Sequence, residues 1–106
     1  MTKAEAMKRW QAGEIIVCGT YHGGTAKTQS LRGQNGQRRD AAVVRQVVLT
    51  DSDSIGVTEW LPDGTPADAW KAPLTKGAPC VIIVEGMEVA NGTRIVNRGK
   101  IEALKD

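Results

Sequence analysis

Ala78–Leu104, APCVIIVEGMEVANGTRIVNRGKIEAL, carries the plainest structural signal in the chain. Two runs rich in Val and Ile flank Asn91-Gly92, a pair that accepts the left-handed backbone needed at both central positions of a two-residue hairpin turn. Counting outward from that turn sets Val84 opposite Gly99 and Ile82 opposite Ile101 on one side, with Glu85 opposite Arg98 on the other. One side of the hairpin is therefore apolar and must be covered. A lone hairpin is marginal in water, so the rest of the chain has to supply more strands.

Three further strand-like runs lie upstream: EIIVCGTY at 14–21, AAVVRQVVLT at 41–50 and SIGVTEWL at 54–61. Gly19 offers a place for the first of them to bend. In the DSDS turn after Thr50, Asp51 and Asp53 read as local backbone acceptors and not as metal ligands. Phe is absent and the aromatic residues are Trp10, Tyr21, Trp60 and Trp70, so the core must rest on Val, Ile, Leu and Ala. Those β-branched residues favour sheet. At 106 residues the chain is long enough for one modest core and too short for two, which makes 1–106 a single domain.

Two short helical segments complete the pattern. In MTKAEAMKRWQAGE, Thr2 with Glu5 three residues on forms a capping box, Gly13 suits the exit, and Ala6, Met7 and Trp10 share a face that can lie across an end or open side of a barrel. Between Pro62 and Pro79 the composition shifts to Pro, Ala and Gly; Thr65-Pro66-Ala67-Asp68 reads as a helix start capped by Thr65, with Trp70 anchoring the connector on the barrel. Cys18 and Cys80 each stand within an apolar run, as buried free thiols do. No apolar stretch approaches membrane-spanning length and the first residues lack the apolar segment of a signal peptide, so a reducing, cytoplasmic setting is the default expectation.

Charge is unevenly placed. Gly23–Arg39, GGTAKTQSLRGQNGQRR, holds Lys27, Arg32, Arg38 and Arg39, four glycines and no acid. It takes four of the 14 Lys and Arg, leaving ten to face 12 Asp and Glu in the rest of the chain. The stretch has one large apolar side chain, Leu31, and cannot bury a core, so 23–39 is expected to be a flexible basic loop between the first two strands.

Five strands, a long loop after the first, a helical connector between the third and fourth, and a closing hairpin follow the order of an OB-fold, an all-β barrel of five strands, with an SH3-like small barrel as the main structural competitor. The layout resembles the small OB-fold single-stranded DNA-binding proteins: the bacterial single-strand-binding group, the primosomal replication protein N, and the helix-destabilising proteins of filamentous phages. It departs from the first in lacking Phe and an acidic, glycine-rich C-terminal tail. The resemblance implies a cytoplasmic, non-enzymatic protein of DNA replication, recombination, or a phage or plasmid, without cofactor or metal. It also implies a homo-oligomer, a dimer being favoured, and single-stranded DNA as partner with RNA as an alternative. No membrane partner is implied.

Single-strand binding needs cations along the backbone and flat side chains under the bases. The cations available are Lys27, Arg32, Arg38, Arg39 and Arg45, with Arg94, Arg98 and Lys100 on the final hairpin; Trp60 and then Tyr21 are the candidates for stacking. Catalysis has no comparable support. His22 is the lone histidine, no nucleophile motif or cysteine-histidine cluster is present, and GGTAKT lacks the Gly-Lys-Thr ending of a phosphate loop. The competing reading is a small β-barrel adaptor that binds another protein, its basic loop meeting an acidic partner.

Overall fold

The computed structural model describes residues 1–33 and 35–105. Helix α1 (Lys3–Gln11) precedes strands β1 (Ile15–Arg32), β2 (Arg38–Leu49) and β3 (Ser54–Trp60); a single 3-10 turn (Ala67–Ala69) leads to β4 (Pro79–Ala90) and β5 (Thr93–Ala103). The strands close into a barrel in the order β1-β2-β3-β5-β4, with β1 returning to β4 through Ile15–Thr20 against Pro79–Val84. This is the OB-fold expected from the strand pattern. Its interior is filled by Tyr21, Val48, Ile55, Val57, Cys80, Ile82, Val84 and Val96, with Val17, Leu74 and Ile101 packed against them. Small β-branched side chains thus do the work that Phe does in other cores.

The closing hairpin forms as its sequence dictates. Asn91 and Gly92 take φ of 53° and 76°, and Val84 and Ile82 face Gly99 and Ile101. Glu85 and Arg98 do not meet as expected. A bulge at Asn97 on β5 sets Arg98 opposite Gly86, and a second bulge at Glu85 on β4 restores the register. Two compensating insertions leave the apolar rows intact while displacing one polar pair.

The narrowest seam of the barrel is the parallel contact of Ile55–Val57 with Arg94–Val96. It is clamped at its entrance by Arg94, whose Nε and Nη2 donate to Asp53 Oδ2 and Oδ1, both at 2.8 Å. Thr50 Oγ1 donates to the same carboxylate at 2.5 Å and accepts from the Asp53 amide, so the turn holds its aspartate ready for the arginine. The Asp53 carboxylate is not the backbone acceptor expected: its donors are the Thr50 and Ser52 hydroxyls and the Arg94 guanidinium, and it is Thr50 Oγ1 that accepts the backbone amide of the turn.

Helix α1 begins as read, with Thr2 Oγ1 accepting from the Glu5 amide at 3.1 Å. It lies against the outer wall beside Ile16, Cys18 and Leu104, not across a barrel end, because the Met1 and Lys3 backbones bond to Ala103 and Lys105 at the end of β5. Ala6 is buried there, while Met7 and Trp10 stay exposed. Cys18 is exposed as well, contrary to expectation; Cys80 is buried, and burial pushes its thiol up to about 11. In the connector, Pro66 and not Thr65 occupies the capping position, with no side-chain cap.

The principal correction concerns 23–39. Instead of a loop, Gly24–Arg32 pairs residue for residue with Arg38–Gln46 as a two-stranded antiparallel ribbon. The ribbon draws the molecule out to 48 Å against 25 Å in the other two directions. Backbone pairing needs no apolar side chain, so a run of Thr, Gln and Ser extends a strand that the core has already begun.

Replacing Gly92 with Val forces a β-branched residue into the left-handed region, and urea denaturation is expected to show a loss of about 1–3 kcal/mol. The Arg94 guanidinium, aided by the Thr50 hydroxyl, holds the Asp53 carboxyl well below the usual carboxylate range. A depressed folded-state value means that the clamp contributes fully above the unfolded value of about 3.9 and is lost as pH falls further. Thermal melts should therefore weaken below about pH 4, and Asp53→Asn should lower the midpoint at pH 7 while flattening part of that acid slope.

Candidate nucleic-acid interface

The site follows from one irregularity in β1. Tyr21 pairs with Val48, but Gly24 pairs with Gln46, so β1 carries one residue more than β2 between these rows. Gly23 has φ of 96°, and a Cβ on Gly24 would lie 2.7 Å from Gln46 Cγ and 2.8 Å from the Arg45 carbonyl oxygen. The glycine pair thus permits a bulge in which the backbones approach more closely than a side chain allows. Before it, Val17 and Tyr21 point into the barrel; after it, Gly24, Ala26 and Thr28 follow Gln46, Val44 and Ala42 inward. Thr25, Lys27, Gln29 and Leu31 are turned to the outer face.

That face continues across three strands. The register places Thr25, Arg45 and Thr58 in one row, Lys27, Val43 and Trp60 in the next, and Leu31 beside Arg39 nearer the tip. Trp60 is 49% exposed, and Val43, between it and Lys27, is buried. At the usual strand spacing of about 4.8 Å, the Lys27 and Trp60 backbones stand about 10 Å apart with a wall of Val43 between them. Among the described residues of these outer rows none is Asp or Glu; Asp40 and Glu59 fall on the opposite face, in rows with Ser30 and Val44. Asp63, from the segment after β3, reaches Arg39 at 3.4 Å, with the two side chains 79% and 63% exposed. So open a pair contributes at most about 1 kcal/mol and yields easily to a competing anion.

The other candidates separate from this group. Tyr21 is fully buried, and its hydroxyl donates to Gln46 Oε1 at 2.6 Å, so it cannot stack on a base. It faces inward because it precedes the bulge, and burial raises its hydroxyl above the ordinary value. Arg94 is committed to Asp53. Arg98 lies over Gly86, where an added Cβ would come within 3.1 Å of its Nε. Lys100 borders a concavity of about 360 Å³ that also holds Trp70, Glu59 and Glu102, so it shares its surroundings with two carboxylates. Trp70, half-buried, lines that concavity with residues of β2, β3 and β5. Arg32 and Arg38 pair at the ribbon tip on the face opposite Lys27.

Thr25, Thr58 and Gln29 join the outer face without having been singled out from the sequence. Thr25 and Gln29 alternate with Lys27 once 24–32 is strand, and Thr58 alternates with Ile55 and Val57 within the SIGVTEWL run. His22 is exposed beside the bulge, and no group of three or more His, Cys, Asp or Glu among the described residues could hold a metal ion. No helix among the described residues is long and apolar enough to cross a membrane.

No protein-family model and no curated protein matches the chain. The solution structure of the OB domain of Ta0387 from Thermoplasma acidophilum is similar at 11% identity and a TM-score of 0.47, covering 97% of this chain and 84% of that one. The strand order β1-β2-β3-β5-β4 is itself that of an OB barrel.

Tyr21→Phe should lower stability by about 1–3 kcal/mol in chemical denaturation, since it strips a buried Gln46 oxygen of its donor. Binding of oligo-dT by the folded variant should not change.

Proposed function

We propose that the chain binds single-stranded DNA, without catalysis, on the outer face of β1, β2 and β3. The observation that carries this reading is an outer face whose described strand rows hold Lys27, Arg39 and Arg45 around a half-exposed Trp60 and no Asp or Glu, the exposed Asp63 beside Arg39 coming from the segment after β3. Phosphates would meet the three cations, and a base would lie on the Trp60 indole, a contact type that contributes about 1–3 kcal/mol per base. The OB barrel is known for using this strand surface and the adjoining loop for oligonucleotides. Here the adjoining loop is replaced by a ribbon that lengthens the same face. Every base has a flat face and every link a phosphate, so such a site discriminates little between sequences, and RNA remains an alternative ligand.

The adaptor reading has an observation of its own. An apolar groove of about 490 Å³ runs between α1 and β1, lined by Ala6, Met7, Trp10, Ile16, Cys18 and Leu104 with Lys3 at its edge. It lies on the wall formed with β4, away from Lys27 and Trp60, so the two surfaces respond to different variants.

Titration with oligo-dT should quench tryptophan fluorescence, and added salt should reverse the signal. Trp60→Ala should abolish most of the quenching and weaken binding by about 1–3 kcal/mol, whereas Trp10→Ala should preserve both. Lys27→Gln with Arg45→Gln should reduce the slope of log affinity against log salt by about 0.7 for each phosphate contact removed. No quenching at low salt would sink the proposal in favour of the adaptor. Solution mass with and without oligo-dT reads whether the dimer implied by the resemblance forms.

A further inference from the structure

The β1–β2 ribbon carries more positive charge than a single strand on its outer face can use. Arg32 and Arg38 stand directly opposite one another on the inner face, beyond the rows that the Pro62–Pro66 segment approaches, while Arg39 beside Leu31 lies on the outer face one row back. All three are exposed. Like charges directly across a ladder repel. Among the described residues no carboxylate oxygen comes within ion-pair distance of Arg32 or Arg38, although Asp40 shares their face one row in. Together with Gly33 and Gln37 the three arginines border an open hollow at the tip.

A strand lying on the outer face meets one side of the ribbon. Cations on both sides suit a ligand that flanks the ribbon on both sides. The major groove of a duplex is such a place, being about 12 Å wide, able to admit a two-stranded β-ribbon, and walled by phosphates on either hand. Two strands about 4.8 Å apart match that width, and the short Ser30 and Asp40 row stands directly behind the long Leu31, Arg32, Arg38 and Arg39 side chains of the tip. The tip row is five residues from the Lys27, Val43 and Trp60 row, about 16 Å along the ribbon or about five base steps at 3.4 Å. A single strand on Trp60 and a duplex at the tip can therefore belong to one nucleic acid.

We infer that the ribbon tip, through Arg32 and Arg38, enters the major groove of a duplex that adjoins the bound single strand, so that the chain recognises a single-strand to duplex junction. This rests on the single-strand reading of the outer face. It assigns Arg32 and Arg38 a ligand different from that of Lys27, Arg45 and Trp60.

Fluorescence anisotropy with three labelled probes tests it: a dT oligonucleotide, a blunt duplex, and the same duplex carrying a dT tail. The wild-type chain should hold the tailed duplex at least tenfold more tightly than either of the others. Arg32→Gln with Arg38→Gln should bring the tailed duplex down to the affinity of dT and reduce its salt slope by about 1.8, at 0.9 per lost duplex contact. Quenching of Trp60 by dT should be unchanged in that variant, and its melting temperature should not fall, since a repulsive pair has been removed. Equal weakening on dT and tailed duplex, or no wild-type preference for the tailed probe, would overturn the inference and leave the single-strand reading standing. Absence of dT quenching in the wild type would remove both.

Discussion

The outward turn of Lys27 and its β1 neighbours, which completes the face begun by Arg45 and Trp60, depends on the bulge at His22, Gly23 and Gly24. A strand shows alternate side chains to alternate faces, so a single extra residue inverts the assignment of every residue that follows. Without it Lys27 would point toward the barrel side with Tyr21, and Ala26 and Thr28 would face outward. With it the long side chains of β1 join Arg45 and Trp60. The constraint is local and steric: the approach of Gly24 to Gln46 leaves no room for a Cβ. Its consequence extends along the nine residues to Arg32.

The same bulge separates two uses of polar residues. On its barrel side, Tyr21 and Gln46 form a buried hydrogen bond. On its ribbon side, polar residues remain in water and their backbones alone hold the structure. Cohesion therefore comes from apolar burial in the barrel and from ladder hydrogen bonds in the ribbon. Charge follows the division. Asp53 is held by Arg94 at the β3–β5 seam, while among the described residues the ribbon's cations make one ion pair, the exposed Arg39–Asp63 contact.

Legibility in the sequence followed the same line. The β4–β5 hairpin was readable because Asn91-Gly92 and two β-branched runs state both the turn and the register, and the three earlier strands were readable by their Val and Ile. The ribbon was not, since Thr, Gln, Ser and Gly give no apolar alternation, and a strand extended by backbone pairing has no side-chain signature. Trp60, at the end of β3 beside Thr58 and Glu59, is half-exposed, whereas Tyr21, where the first strand meets the basic stretch, is core. The two differ by strand face, which no neighbour in sequence reveals. Arg94 resembled the other cations until the fold brought Asp53, 41 residues away, against it.

The amino-acid sequence by itself determined a single all-β barrel, the closing hairpin with its turn, the helix cap at Thr2, and the concentration of surplus cations between residues 23 and 39. These are properties of local propensity, periodicity and composition, each fixed by residues near one another in the chain. Tertiary structure alone decided which cations share a face, which aromatic ring remains open to a ligand, and which arginine is held by a carboxylate. Facing is set by strand register across the sheet, and register is the sum of ladder hydrogen bonds, close backbone contacts and core packing between segments that the sequence keeps apart.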